Sequence, residues 1–190
     1  MRKWIGVVCV FIGVLCILSS IGFIVYNQWE DNNAEAIAQS LLEDLQKIIE
    51  EKTPRPEDTE MATVKVDDYD CIGILSIPVL DLELPVLTDW SYAKLKQAPC
   101  HYYGSYYEKD FVIAAHNYKA HFGRLSELQA GDLVVFTDVC GKAHYYEVVF
   151  LETLPKNATK EMITSGFDLS LYTCTLGGGN RVTVRCKVHG

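Results

Sequence analysis

Positive charge is in short supply in this chain: 17 Lys and Arg stand against 25 Asp and Glu, for a formal net charge of −8 over 190 residues. Phosphate backbones are bound by clustered Lys and Arg, so this balance excludes a nucleic-acid reader. No internal repeat is visible, and only one long apolar run is present, which excludes a multi-span membrane protein. Disorder is excluded as well, because 49% of the residues are hydrophobic and only 22% are charged. These totals fit one ordinary domain with an appendage. Also lacking is any C-x-x-C pair. Cys100 adjoins His101, and His116 stands five residues from His121, but neither spacing is that of a structural zinc site, so no metal is expected.

What is there divides into segments. Residues 4–26 carry no charge, long enough at ~20 residues per crossing to span a bilayer as a helix. Arg2 and Lys3 precede this run while Glu30, Asp31 and Glu35 follow it, an asymmetry that places residues 1–3 in the cytoplasm and the remainder outside. Trp4, Tyr26 and Trp29 stand where an interfacial aromatic belt would lie. The rival reading, a cleaved signal peptide, has only the small-residue triplet Ala34-Glu35-Ala36 in its favour. That triplet lies well beyond the end of the run, so an uncleaved single-pass anchor is the better reading.

Residues 27–65 read as an acidic helical stalk and linker. Ile37, Leu41, Leu45 and Ile48 are spaced for one face of a helix, which either packs on the globular part or self-associates; with so few turns, packing is the simpler expectation. Residues 51–60, with Pro54 and Pro56, read as a polar spacer. The charge follows this division. Residues 27–70 carry −9, which predicts an extended stalk, whereas residues 71–190 carry only −1, so the net charge says nothing about what the globular part acts on.

From residue 66 to 190 the texture is β. Short apolar runs at 72–77, 84–87, 111–115, 133–136, 145–151, 169–173 and 182–188 alternate with turn signals. The absence of alternating long helices predicts an all-β, closed or nearly closed barrel. Residues 138–142 read as a hairpin turn, and 91–97 and 159–165 as short helical turns. A barrel leaves chemistry to strand ends and loops.

Cys9 and Cys16 fall in the span, leaving Cys71, Cys100, Cys140, Cys174 and Cys186 outside, an odd number that leaves at least one thiol free. A barrel of this size buries its own core without a disulfide framework. Cys174 closes the run Leu169-Ser-Leu-Tyr-Thr-Cys174, before the loop Thr175-Leu-Gly-Gly-Gly-Asn180 and then Arg181. The glycines lack the context of a phosphate loop. If flanking strands pair across the loop, the guanidinium lies near the sulfur, where a fixed cation lowers a thiol pKa or steadies an oxyanion. Cys186, in an alternating run, reads as a barrel-wall residue. From these residues alone, Cys174 is equally a nucleophile or a buried small hydrophobe. A thiol acyl transfer needs a proton carrier, and His116 closes the apolar run Phe111-Val-Ile-Ala-Ala-His116, though a single strand-end histidine is more often structural. Together they make a nucleophile, a general acid and base, and an oxyanion partner.

At these residues the chain resembles the sortases, the membrane-anchored cysteine transpeptidases of Gram-positive bacteria, over residues 71–188. The resemblance rests on Gly73-Ile-Leu-Ser-Ile-Pro78 followed by Leu84-Pro-Val86, on Ala114-Ala-His116-Asn117, on Leu171-Tyr-Thr-Cys174, and on Arg181 opening the last strand. Ser170 stands where the family pattern T-L-x-T-C has its first Thr.

The resemblance implies an eight-stranded barrel over residues 66–190 and a transpeptidase that needs no cofactor. Cys174 would attack the Thr–Gly carbonyl of a C-terminal sorting signal of the Leu-Pro-x-Thr-Gly kind on a secreted protein. His116 would protonate the departing amine and then deprotonate an amine acceptor of the peptidoglycan precursor. Arg181, with the Cys174 N–H, would hold the oxyanion, and Thr173 would assist positioning. Residues 153–168 would form the recognition loop, their helical turn a wall for the signal's Leu and Pro. No second apolar span follows the barrel, and Asp89-Trp90 matches the pilus enzymes' lid only in its letters, which favours a class B or D relative over class C. A thiol hydrolase of the same fold and an anchored, non-catalytic binding module are the alternatives.

Overall fold

The computed structural model describes residues 2–51 and 61–190, in two compact units, Met1–Asn33 and Ala34–Gly190. The first unit holds the beginning of helix α1 (Arg2–Glu51), and its described apolar side chains, among them Val7, Phe11, Leu15, Leu18 and Phe23, are exposed. A helical stretch this long and this apolar is able to cross a membrane. Trp29 packs against Tyr26 at 6.2 Å between ring centroids.

The second unit is built on nine strands: β1 (Val64–Val66), β2 (Tyr69–Ile77), β3 (Leu82–Leu87), β4 (Cys100–Tyr103), β5 (Phe111–Ala114), β6 (Leu133–Asp138), β7 (Ala143–Pro155), β8 (Leu169–Cys174) and β9 (Asn180–Val188). Eight of them form a closed ring in the order β2-β3-β4-β5-β8-β9-β7-β6, and β6 returns to β2. β1 sits outside the ring, on the edge of β2 that β6 also uses. Closure is tight at Gly73, opposite Asp138, where a Cβ would collide with the Thr137 carbonyl. Inside the ring Leu75, Ile77, Phe111, Ile113, Phe136, Leu169, Leu171 and Val184 are fully buried, so truncating Phe136 to Ala should cost about 3–5 kcal/mol.

All seven predicted runs are strands, and the hairpin turn falls where expected. The helical turns are α2 (Tyr92–Leu95) and α3 (Thr159–Ile163). Ser91 caps α2 by accepting a hydrogen bond from the Lys94 N–H at 3.1 Å.

The helix face at Ile37, Leu41, Leu45 and Ile48 packs on the globular part as expected, so the extended stalk read from the charge of 27–70 does not hold for this part of the chain. Ala34, Ala38, Leu41, Leu42 and Leu45 are buried in the second unit, and the last three pack with Val64, Val66, Cys71, Ile74 and Val139 on the outside of the barrel. Burial of that apolar stripe outweighs the like-charge repulsion of its exposed acidic face. It also explains why β2 is apolar on both of its faces, with the barrel core on one side and the helix on the other. The predicted spacer, apart from Glu51 at the end of α1, lies outside the described residues.

Candidate active site

Three strands place the three predicted residues. β5 and β8 run parallel, with Val112 beside Ser170 and Ala114 beside Tyr172. Beyond the last pair the strands stay joined, because the Ala115 N–H donates to the Tyr172 carbonyl at 3.2 Å and the Thr173 hydroxyl donates to the Ala115 carbonyl at 3.0 Å. Carrying the same register two residues past Ala114 and Tyr172 sets His116 level with Cys174. On the other side β9 is antiparallel to β8, and Cys174 is paired with Arg181. Cys174 is thus paired with Arg181 on β9, and the β5–β8 register, continued past the end of β5, brings His116 toward its other side.

The loop between β8 and β9 fixes the second of these pairings. Thr175 and Asn180 exchange hydrogen bonds of 2.9 Å and 3.1 Å, and the Gly178 N–H donates to the Thr175 carbonyl at 2.8 Å. Gly177 and Gly178 have φ of 85° and 69°, left-handed values that side chains with a Cβ rarely adopt. The glycine run therefore closes the hairpin in register.

Strand alternation decides which way each residue faces. Leu169 and Leu171 on β8, Phe111 and Ile113 on β5, and Val184 and Cys186 on β9 fill the barrel. Their neighbours share the outer face. From one end to the other this face carries a row of Val112, Ser170 and Arg185, a row of Ala114, Tyr172 and Thr183, and a row of His116, Cys174 and Arg181.

The last row is the open one. Cys174 is exposed, whereas Cys71, Cys100 and Cys186 are fully buried and burial pushes each thiol up to about 12. All seven cysteines are free. The guanidinium of Arg181 lies over the Tyr172 ring, 5.0 Å from its centroid, and its Nη1 is a buried donor with no hydrogen-bond partner among the described residues. His116 is half-buried and stacks on Tyr118, with centroids 4.1 Å apart and planes 18° from parallel. The other histidines are engaged elsewhere. His101 lies between the carbonyls of Thr88 and Gly104, His144 meets Asp138 at 3.2 Å, His189 meets Glu147 at 3.1 Å, and His121 is fully buried. Thr173 is buried and joins the strand ends.

Two supporting features were not assigned a role from sequence. Tyr172 carries Arg181 and leans edge-on against Tyr102 at 5.3 Å, and Tyr102 packs on Trp90 at 5.4 Å. Burial holds the Tyr172 phenol well above its ordinary range, so it stays neutral beneath the cation. Asp89-Trp90 therefore lies between β3 and α2, at the end of an aromatic row leading to Arg181. The other is Tyr118. Aromatic residues two positions beyond a strand-end histidine carry no pattern of their own in sequence.

An exposed thiol between an imidazole and a guanidinium, on strands whose spacing is fixed by main-chain hydrogen bonds, is suited to acyl transfer. Comparisons with known proteins agree. The family model described as Sortase domain matches residues 75–189. No curated protein matches the sequence. Among solved structures, the chain is similar to the sortase D5 transpeptidase of Clostridium perfringens, with TM-score 0.63 and 17% identity over 82% of this chain and 99% of that one. It is also similar to a lid mutant of sortase A from Corynebacterium diphtheriae, with TM-score 0.58 and 22% identity over 82% and 95% of the two chains. Sortase C of Streptococcus pneumoniae gives TM-score 0.58 and 22% identity over 85% and 89%. At these identities the likeness to each solved structure is one of fold.

Proposed function

The chain belongs to the sortase family, the cysteine transpeptidases of cell-wall sorting, and on that premise we propose that Cys174 is its nucleophile, His116 its general acid and base, and Arg181 its oxyanion partner. The observation that carries the reading is the pairing of exposed Cys174 with Arg181 at the end of β8 and β9, with the β5–β8 register leading past Ala114 toward His116. The Cys174 thiolate attacks the carbonyl carbon between Thr and Gly of a sorting signal. The new C–S bond forms a tetrahedral oxyanion, which accepts hydrogen bonds from Arg181 Nη1 and the Cys174 N–H. Collapse breaks the C–N bond, and His116 gives its proton to the departing amine, leaving a thioester. An acceptor amine then passes a proton to His116 and attacks the thioester, and the C–S bond breaks with return of the thiolate. The acyl group is kept at thioester energy between the two steps, so no further energy source is needed.

The same reading assigns residues 153–168, which hold α3, to recognition of the sorting signal, and a peptidoglycan-precursor amine to the acceptor. It also places residues 1–3 in the cytoplasm, 4–26 in the membrane and the barrel outside, on the strength of Arg2 and Lys3 before the run and Glu30 and Asp31 after it.

The test incubates the protein with Leu-Pro-x-Thr-Gly peptides, x varied, and an amine such as triglycine, and reads products by mass spectrometry. Transpeptidation product is expected, with none from the Cys174→Ala protein. Product formed by that variant would remove Cys174 from the mechanism, and free acid alone would make the protein a hydrolase.

A further inference from the structure

The other arginine of β9, Arg185, is by volume the largest of the fully buried side chains among the described residues. Arg185 is 2% exposed, yet it carries a permanent charge. A buried guanidinium is tolerated only when its N–H groups find acceptors, and a well-packed apolar side chain would serve stability as well or better. Its partners are therefore informative. Nε donates to Glu152 Oε1 of β7 at 2.7 Å, and Nη1 donates to Ser170 Oγ of β8 at 2.8 Å. Nη2 donates to the Glu161 carbonyl at 2.7 Å, and Nη1 reaches the Met162 carbonyl at 3.5 Å.

Those two carbonyls belong to the last turn of α3. The helix is five residues long, and its closing carbonyls have no intrahelical partner of their own. Arg185 supplies it, as a cation at a helix C-terminus does. The same turn is pressed onto the sheet by Met162, which is fully buried with Val112, Ala114 and Tyr172. Residues past α3 are held separately, where Asp110 accepts hydrogen bonds from the Ser165 N–H, the Ser165 hydroxyl and the Gly166 N–H at 2.7–2.9 Å. One side chain thus ties α3 to β7, β8 and β9, two rows of the outer face from Cys174.

We infer that Arg185 is a positioning residue for substrate recognition, holding α3 at a fixed place on the face that carries Cys174, and that Ser170 and Glu152 are the partners through which it does so. The inference rests on the proposed role of residues 153–168 in binding the sorting signal. Ser170 keeps the hydroxyl this role needs where the family pattern has Thr, so the departure from the pattern preserves the acceptor.

The test measures steady-state kinetics on the Leu-Pro-x-Thr-Gly peptide that the wild-type protein cleaves fastest, alongside thermal midpoint and the rate of Cys174 alkylation by iodoacetamide. Ser170→Ala and Glu152→Ala should each raise KM about tenfold with kcat within about twofold, because they loosen the recognition element and leave the reacting groups in place. Alkylation should keep its wild-type rate, and Ser170→Thr should restore the wild-type KM. Ile163→Ser, within α3 itself, reports on the loop independently of Arg185. If Ile163→Ser raises KM while Ser170→Ala and Glu152→Ala do not, the loop binds substrate without Arg185 and the inference is overturned. A joint fall of kcat, thermal midpoint and alkylation rate in the Ser170 and Glu152 variants would make the network structural only, which also overturns it. An unchanged KM in Ile163→Ser would remove the loop from recognition, and the inference would fall with that reading.

Discussion

Arg181 and Arg185 stand four residues apart on one strand and face the same side of the same sheet, yet their surroundings are opposite. Arg185 meets Ser170 across the strand pair and is covered by α3, so its guanidinium is buried and each of its nitrogens has an acceptor. Arg181 meets Cys174, which is exposed, and keeps an orphan donor. The difference is made by the segment between β7 and β8, which covers one end of the face and leaves the other bare. One antiparallel register thereby supplies a structural cation and a reactive one. A guanidinium whose every nitrogen is bonded steadies the protein. One with a donor to spare can bind charge that develops only during a reaction.

The strongest way to break the contrast is at the open end. Cys174→Ala should abolish thioester formation, and His116→Ala should lower kcat/KM about 10²- to 10⁴-fold, both with an unchanged circular dichroism spectrum. Loss of folding in either variant would place these residues among the closed ones.

Next in size is the exchange of donors. Arg181→Lys should lower kcat about 10²-fold with little change in KM, since an ammonium retains charge but not the planar fork. The Ser170 and Glu152 variants should do the reverse, and equal effects on kcat at both ends would dissolve the distinction.

A smaller effect comes from the thiols. Iodoacetamide at neutral pH should label Cys174 in the native protein and leave Cys71, Cys100 and Cys186 until denaturant is added, as peptide mapping would reveal. These buried thiols also set a pH limit. Their pKa is raised from 9.0 to about 12 in the folded state, so their contribution is whole below pH 9 and is lost as pH rises through the window up to about 12. The urea midpoint should fall across that window, and Cys186→Val should make the fall shallower.

Sequence carried much of this arrangement but not all. Cys174 and Arg181 are joined by a short glycine loop, so a single hairpin brings them together and their partnership is readable from spacing. His116 lies 58 residues before Cys174 in the sequence, and only the parallel pairing of β5 with β8 brings the end of its strand to the end of the thiol's. Nothing local specifies such a pairing, and the resemblance at Ala114-Ala-His116-Asn117 supplied what periodicity lacked. β1 and β4 were missed for a plainer reason. Each is three or four residues long, and β4, Cys-His-Tyr-Tyr, shows no clean alternation. Arg185 went unnoticed because a charged residue in an alternating run ordinarily marks a solvated face. Here α3 covers that face, and an exposed-looking position became the most completely bonded side chain of the strand.

The assignment of the open row stands or falls on one observation, the intact mass and peptide map of the protein trapped with a Leu-Pro-x-Thr-Gly peptide in the absence of an amine acceptor. The account predicts one acyl adduct, on Cys174, that disappears on adding triglycine. An adduct on any other residue, or transpeptidation by the Cys174→Ala protein, would contradict it.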